Sequence, residues 1–520
     1  MGAAEGCCAK EEVWQASVSV SEAPVYAQAV IANAAADDLG AASDKLGECT
    51  SRQDEWELVD KEVIRGIPLK VSLRFFGKLW RTSPIDLKDK ECEDLWMQSK
   101  PAEYFDVFLS HTWMSSGRWK MISLLIQSSW PFVAFSWACT VLIFCALCLL
   151  DILPMPFFYR AEILGFNALC PLGPWLLFPG SLVPALSIFL WPSMPEVGCL
   201  RSECCFLDVV SIHQRDDVLK ERGIYGLGGF LKVSRELRVL WTTPYPTRLW
   251  CMFEVAAYRS VNPQGRINIT PIAVELSALV FMLGTLVVSI GLWCRHAAHA
   301  ARATPFITLS PWAFLACTVP GLFVIHSVRR NMEERIQMID GLNQFDAEQA
   351  GCRSEFDKSF IFTGIQAWFG SLQGFNHYVR TTLRSELLSR CKCVFPTRYL
   401  AMILLPPVSL TLEVALGLYK GGAPLRSIMA FAASNLCLHV VWLTLDVKLA
   451  TGLSQRFYER GSTVCKDFAK SLSIFLAVVI FSYSGLLAAA ASSATSEGAV
   501  VLWMSTAFAT LGFAVWRGLV

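Results

Sequence analysis

Residues Leu237–Tyr258 read LRVLWTTPYPTRLWCMFEVAAY, and this stretch decides how the rest of the chain is read. Arg238-Val239-Leu240-Trp241 is a short β-type run that breaks at the turn formers Thr243, Pro244 and Pro246. Arg248–Tyr258 then has helical spacing, with Trp250 and Glu254 four residues apart on one face. A carboxylate one turn beyond a large aromatic, just past a strand end, suits ligand contact in an open α/β sheet. Taken alone, a helix glutamate is ordinarily a solvated surface residue.

Two other stretches change that balance. Tyr104–His111 reads YFDVFLSH, and Cys204–Gln214 reads CCFLDVVSIHQ. With Trp250-Cys251-x-x-Glu254 they resemble, in order, the motifs of the Toll/interleukin-1 receptor (TIR) domain family. That family opens with D-V-F-L-S, carries F-x-D in its second strand and has a W-C-x-x-E helix after a later strand. The form F-L-D-x-x-S-I-x-Q followed by R-L-W-C-x-x-E looks most like the TIR-like proteins of protists, of the multi-pass membrane type seen in dinoflagellates. The resemblance implies a parallel sheet flanked by helices and signalling through self-association or pairing with other TIR-like domains.

Composition sets the setting. Of 520 residues, 54% are hydrophobic and 17% charged, with 18 Trp and 33 Phe, and mean hydropathy is +0.43. Such a chain is wrong for a soluble enzyme and right for a polytopic membrane protein, whose partners include membrane lipid. A net charge of +1 gives no case for nucleic acid. The 19 cysteines form no disulfide pattern, and many lie in apolar runs as small hydrophobes. Cys204-Cys205 and Cys391-Lys392-Cys393 lack His or Cys partners at zinc-finger spacing, so no metal is expected.

Along the chain, residues 1–60 read as a disordered tail with a short helix near Val25–Ala36. No signal peptide is expected there, while Met1-Gly2 and Cys7-Cys8 are weak lipidation candidates beside an ordinary flexible tail. Residues 61–130 and 194–272 form the TIR-like α/β domain, its first strand at Phe105–Ser110 and its first helix at Gly117–Trp130. Between those segments, 131–193 is an inserted membrane hairpin built on the apolar runs Pro131–Ile152 and Trp175–Trp191. Gly226-x-Gly228-Gly229 lacks the full spacing of a phosphate-cradling loop and reads as a turn before a helix. Residues 273–327 hold a transmembrane pair, Val274–Cys294 and Ile307–His326, and 328–398 a cytosolic region of amphipathic helices. A four-span region, 399–520, completes about eight spans.

Orientation follows from the basic residues. With the N-terminus cytosolic, all but five of the 45 Lys and Arg fall on the cytosolic side; the exceptions are Arg160, Arg295, Arg302, Lys420 and Arg426. Both termini are then cytosolic, and the sequon at Asn268 goes unmodified.

In TIR domains that cleave NAD the W-C-x-x-E glutamate is catalytic, so the resemblance implies that role for Glu254, with NAD as substrate and no cofactor. Breaking the nicotinamide–ribose bond develops oxocarbenium character on the sugar, which a fixed carboxylate stabilises. Ser110 and Asp208 fall at strand ends on the same rim and Trp250 on the glutamate's face, making them candidate NAD-binding residues. Asp208 reads equally as a turn or cap residue, and Trp250 as a core anchor. His111 and Trp113 replace the Arg-Gly of plant-type members, and many TIR domains are scaffolds that cleave nothing. Within the predicted spans, Glu413, Asn435 and His439 are intramembrane polar groups, with Glu413 and Asn435 at depths where they could meet. They open the alternative of a transporter or channel with a TIR-like regulatory domain.

Overall fold

The computed structural model describes residues 62–81, 87–196, 201–298, 311–390 and 396–516. The tail expected over 1–60, its helix at Val25–Ala36, the lipidation candidates and the Cys391–Cys393 pair lie outside them.

Eight strands occur among the described residues: β1 (Arg65–Pro68), β2 (Lys100–Pro101), β3 (Phe105–Ser110), β4 (Phe157–Ile163), β5 (Phe166–Leu172), β6 (Cys204–Phe206), β7 (Ser234–Trp241) and β8 (Arg266–Pro271). Six of them form one mixed sheet in the order β2-β1-β6-β3-β7-β8. β6, β3, β7 and β8 run parallel, and β1 pairs antiparallel with both β2 and β6. The register sets Val107 opposite Cys205 and Glu236, and Ser110 opposite Val239.

Both faces of this sheet are covered, which explains the nearly continuous apolar run of β3. Val107 and Leu109 face Leu124 and Leu125 of the Gly117–Leu149 helix. Phe105 and Phe108 face the other way, and Phe108 stacks on Phe206 with ring centroids 4.3 Å apart. On that second face lie the Leu249–Val261 helix and, beyond it, the Glu355–Phe369 helix with Phe375, Val379 and Leu383. The helical region expected beyond Arg329 thus covers the sheet unit.

Six helices among the described residues are long and apolar enough to cross a membrane: Gly117–Leu149, Ile272–Ala298, Thr397–Lys420, Leu425–Arg456, Val464–Thr495 and Glu497–Trp516. The second expected span appears as the shorter apolar helix Leu177–Ser193. The fourth, Ile307–His326, lies partly outside the described residues; within them it is two helices, Pro311–Thr318 and Pro320–Asn343, the latter running on into Arg329 and Arg330.

Three features depart from the sequence reading. The helix expected to end at Trp130 runs through Pro131 to Leu149 as one 33-residue rod, because helix-compatible residues flank the proline on both sides. The connection after it is not a plain loop: β4 and β5 form an antiparallel hairpin turning at Leu164-Gly165, both with positive φ. Nor do Glu413 and Asn435 meet. Asn435 bonds back to the Phe431 carbonyl of its own helix at 2.9 Å, while Glu413 accepts from the Leu176 and Leu177 amides at 2.5 and 3.2 Å. Glu413 therefore caps the N-terminus of the Leu177 helix, where a carboxylate complements the helix dipole.

Where the Gly117 helix starts, a Cβ on Gly117 would fall on the Trp80 carbonyl. Gly117→Ala should thus cost about 1–3 kcal/mol and lower the thermal midpoint in detergent. Gly452→Ala, with nothing within 4 Å of the new methyl, should leave it unchanged or raise it. Equal midpoints for the two variants would contradict this packing.

Candidate functional site

The carboxyl ends of β3, β6 and β7 converge on one edge of the sheet, and the chemistry-bearing residues collect there. Ser110 is the last residue of β3 and is 1% exposed. Asp208 opens the short helix Asp208–Ser211 just after β6. Beyond β7, the Pro244-Tyr245-Pro246 turn leads into the Leu249–Val261 helix, which carries Glu254 in its second turn.

The centre of the site is a chain of oxygens. The Ser110 hydroxyl donates to the Glu254 carboxylate and lies 2.5 Å from the Tyr245 hydroxyl, which in turn reaches the Cys251 carbonyl at 3.1 Å. Ser110 and Tyr245 are buried, whereas Glu254 keeps partial access to solvent. Burial pushes the Glu254 carboxyl up to about 8; the Ser110 bond favours the anion, and the nearby Asp208 charge opposes it.

Beside it sits a second cluster. Asp208 accepts from the Trp113 indole at 2.7 Å and from the Val209 amide at 2.7 Å, with the His111 ring 3.6 Å away. Burial alone would raise the Asp208 carboxyl, but His111 and these donors hold it below the ordinary carboxylate value. His111 is kept below its ordinary value by burial and by the Lys120 charge, so it is neutral at pH 7. Lys120, fully buried in the first turn of the Gly117 helix, donates to the Thr112 carbonyl at 2.7 Å. The edge therefore holds two carboxylates whose surroundings push their protonation in opposite directions, an arrangement suited to acid–base or electrostatic work.

Of the sequence candidates, the structure brings Ser110 and Glu254 into direct contact and sets Asp208 close enough to bias Glu254. Trp250 behaves otherwise. Its ring packs on Phe253 and Phe360, with centroids 6.4 and 5.8 Å away, as an anchor for the Glu355–Phe369 helix. Tyr245 and Lys120 were missed. The tyrosine lies between the turn formers Pro244 and Pro246 and the lysine in the first turn of a helix, and neither position carries a local signal of function. Among the described residues, no group of three or more His, Cys, Asp or Glu could hold a metal ion.

Compared with known proteins, the chain matches no family model, no curated protein and no solved structure.

A protonated Glu254 makes the folded state bind a proton that the unfolded chain, with an ordinary carboxyl near 4.5, releases. Stability from this group is full below about pH 4.5 and is lost as pH rises toward 8. Glu254→Gln should flatten that decline, so the variant unfolds at a higher temperature than the parent at pH 8 and the gap closes near pH 5. Parallel thermal melts across this range check it, and a gap independent of pH would speak against a buried neutral carboxyl.

Proposed function

We propose that the chain is a membrane-anchored, TIR-like signalling protein that acts through cytosolic self-association and cleaves NAD at the nicotinamide–ribose bond, using Glu254. The observation that carries this reading is the contact between Ser110 and Glu254 at the carboxyl edge of a parallel sheet, with Asp208 on the neighbouring strand end. The three sequence motifs that carry the family resemblance thus meet at one site.

In the proposed reaction the glycosidic C–N bond breaks heterolytically. Its electron pair goes to the ring nitrogen, which leaves as neutral nicotinamide, and the ribose carbon takes oxocarbenium character. The Glu254 carboxylate, fixed by the Ser110 donor, stabilises that charge, and water then adds to the sugar carbon and releases a proton. Glu254 must be ionised to do this. The cationic ring of NAD favours the anion as it approaches, so substrate binding helps to release the carboxyl proton.

The membrane arrangement belongs to the same proposal. β3 and β6 pair in one sheet, so the chain between them must leave and return to the same side. If Gly117–Leu149 crosses, Leu177–Ser193 crosses back, and with the helices at Pro311–Asn343 the spans number eight. The distribution of basic residues puts the sheet unit in the cytosol. A non-catalytic scaffold is the second reading, favoured by the burial that pushes the Glu254 carboxyl up to about 8 and so opposes its ionisation.

The test is NAD consumption by the purified chain in nanodiscs, beside Glu254→Ala. Turnover should fall about 10²–10³-fold in the variant, and the parent's kcat/KM should rise with pH through an inflection near 8. Absence of turnover, even with the chain crowded on a membrane, would leave the scaffold. Turnover indifferent to the substitution would remove Glu254 from the chemistry.

A further inference from the structure

We infer that Tyr245 is a positioning residue: through Ser110 it controls whether Glu254 holds its proton. The inference deepens the proposed reading of this site, and its first readout does not depend on NAD cleavage.

Counting hydrogens along the chain makes the case. Glu254, Ser110, Tyr245 and the Cys251 carbonyl form three consecutive oxygen–oxygen gaps. When Glu254 is protonated, three hydrogens fill them: the carboxyl donates to Ser110, Ser110 to Tyr245, and Tyr245 to the carbonyl. When Glu254 is ionised only two hydrogens remain. Ser110 must donate to the carboxylate, and one of the other gaps is left with two oxygens facing each other without a proton. The 2.5 Å gap between the hydroxyls tolerates this less than the 3.1 Å gap to the carbonyl, so Tyr245 turns toward Ser110 and the carbonyl loses its donor. In a buried setting that loss is not made good by water. Ionising Glu254 thus reverses the whole chain and gives up one hydrogen bond at its far end.

Without the tyrosine hydroxyl the balance changes. The protonated state then loses two hydrogen bonds and the ionised state one, which favours the ionised state. The other charged or titratable groups around the site are Asp208 after β6, His111 after β3, Lys120 on the Gly117 helix, and Arg248 and Cys251 at the start of the glutamate's own helix. None of them bonds to Ser110 or Tyr245 through its side chain among the described contacts, so Tyr245→Phe leaves their positions in place.

The experiment uses the full chain in nanodiscs, following thermal stability against pH and, in parallel, NAD turnover against pH. In Tyr245→Phe the inflection assigned to Glu254 should move down by about one pH unit, a roughly tenfold weaker hold on the proton. Ser110→Ala removes the oxygen through which Tyr245 acts, so adding Tyr245→Phe to that variant should leave its inflection where it is. A shift that vanishes when the linking hydroxyl is gone is what general loosening of the site would not produce. Glu254→Gln, lacking the inflection, identifies it. An unmoved or raised inflection in folded Tyr245→Phe overturns the inference. If that variant does not fold, Tyr245→Leu is read in its place, a downward shift supporting the chain and an unmoved or raised inflection overturning it. Should the parent show no NAD turnover, the stability arm still reports on the proton, so failure of the enzymatic reading and failure of this one are told apart.

Discussion

The site depends on two parallel pairings of β3: with β7, which sets Ser110 beside the turn and helix that carry Tyr245 and Glu254, and with β6, which brings in Asp208. β3 and β6 belong to different parts of the chain, and between them lie the Gly117–Leu149 rod, the β4–β5 hairpin and the Leu177 helix. Only when Cys204–Phe206 returns beside Phe105–Ser110 does Asp208 reach the edge where Ser110 ends β3. The Ser110–Glu254 bond then joins residues 144 positions apart. The apolar excursion is thus an insertion that the sheet closes over, and its two helical arms bury their sheet-side ends against the same face.

At β8 the sheet passes directly into an apolar helix. β8 ends at Pro271 and the Ile272–Ala298 helix starts at the next residue. The Gly117 helix carries Lys120 of the site near one end and apolar residues as far as Leu149 at the other. Where these helices meet Thr397–Lys420, the buried Glu275 carboxylate accepts from Tyr399 at 2.8 Å and from Gln127 at 3.3 Å. A buried carboxylate between three helices is stable only while those donors stay in place, so it fixes their relative register. Arg329 does the same farther along. It is fully buried, pairs with Asp467 at 2.6 Å and donates to backbone carbonyls of the Phe457–Glu459 turn.

Much of the sheet unit was legible because its central strands β3 and β6 are short apolar runs closed by a turn or cap residue, whereas β1 and β2, only RGIP and KP, carry no such signal. Phe105–Ser110 and the segment around Phe206 could be placed on that basis, and strand ends point to ligand-binding edges in parallel sheets. The hairpin at Phe157–Leu172 was hidden, since its alternation is blurred by Pro171 and by aromatic residues on both faces. The helix through Pro131 was hidden by the usual equation of proline with a boundary, which fails here because apolar helical sequence continues on both sides of it. Tyr245 could not be read from a linear pattern. Its role comes from a contact with Ser110 across 135 positions, and nothing local distinguishes it from any aromatic in a turn. Glu413 was equally ambiguous in sequence, because the Leu176 and Leu177 amides it accepts from lie 237 and 236 positions away.

Whether the sheet closes over a segment that crosses the membrane and returns is tested most directly by glycan mapping in microsomes. The native sequon at Asn268 lies on β8, on the sheet side, and a second can be made at the β4–β5 turn by Leu169→Thr, which places an acceptor motif at Asn167. Modification at Asn167 with none at Asn268 is the predicted result, since the hairpin and the sheet then face opposite sides of the membrane. A glycan on Asn268 would contradict the account, because the sheet and Glu254 would lie in the lumen rather than the cytosol.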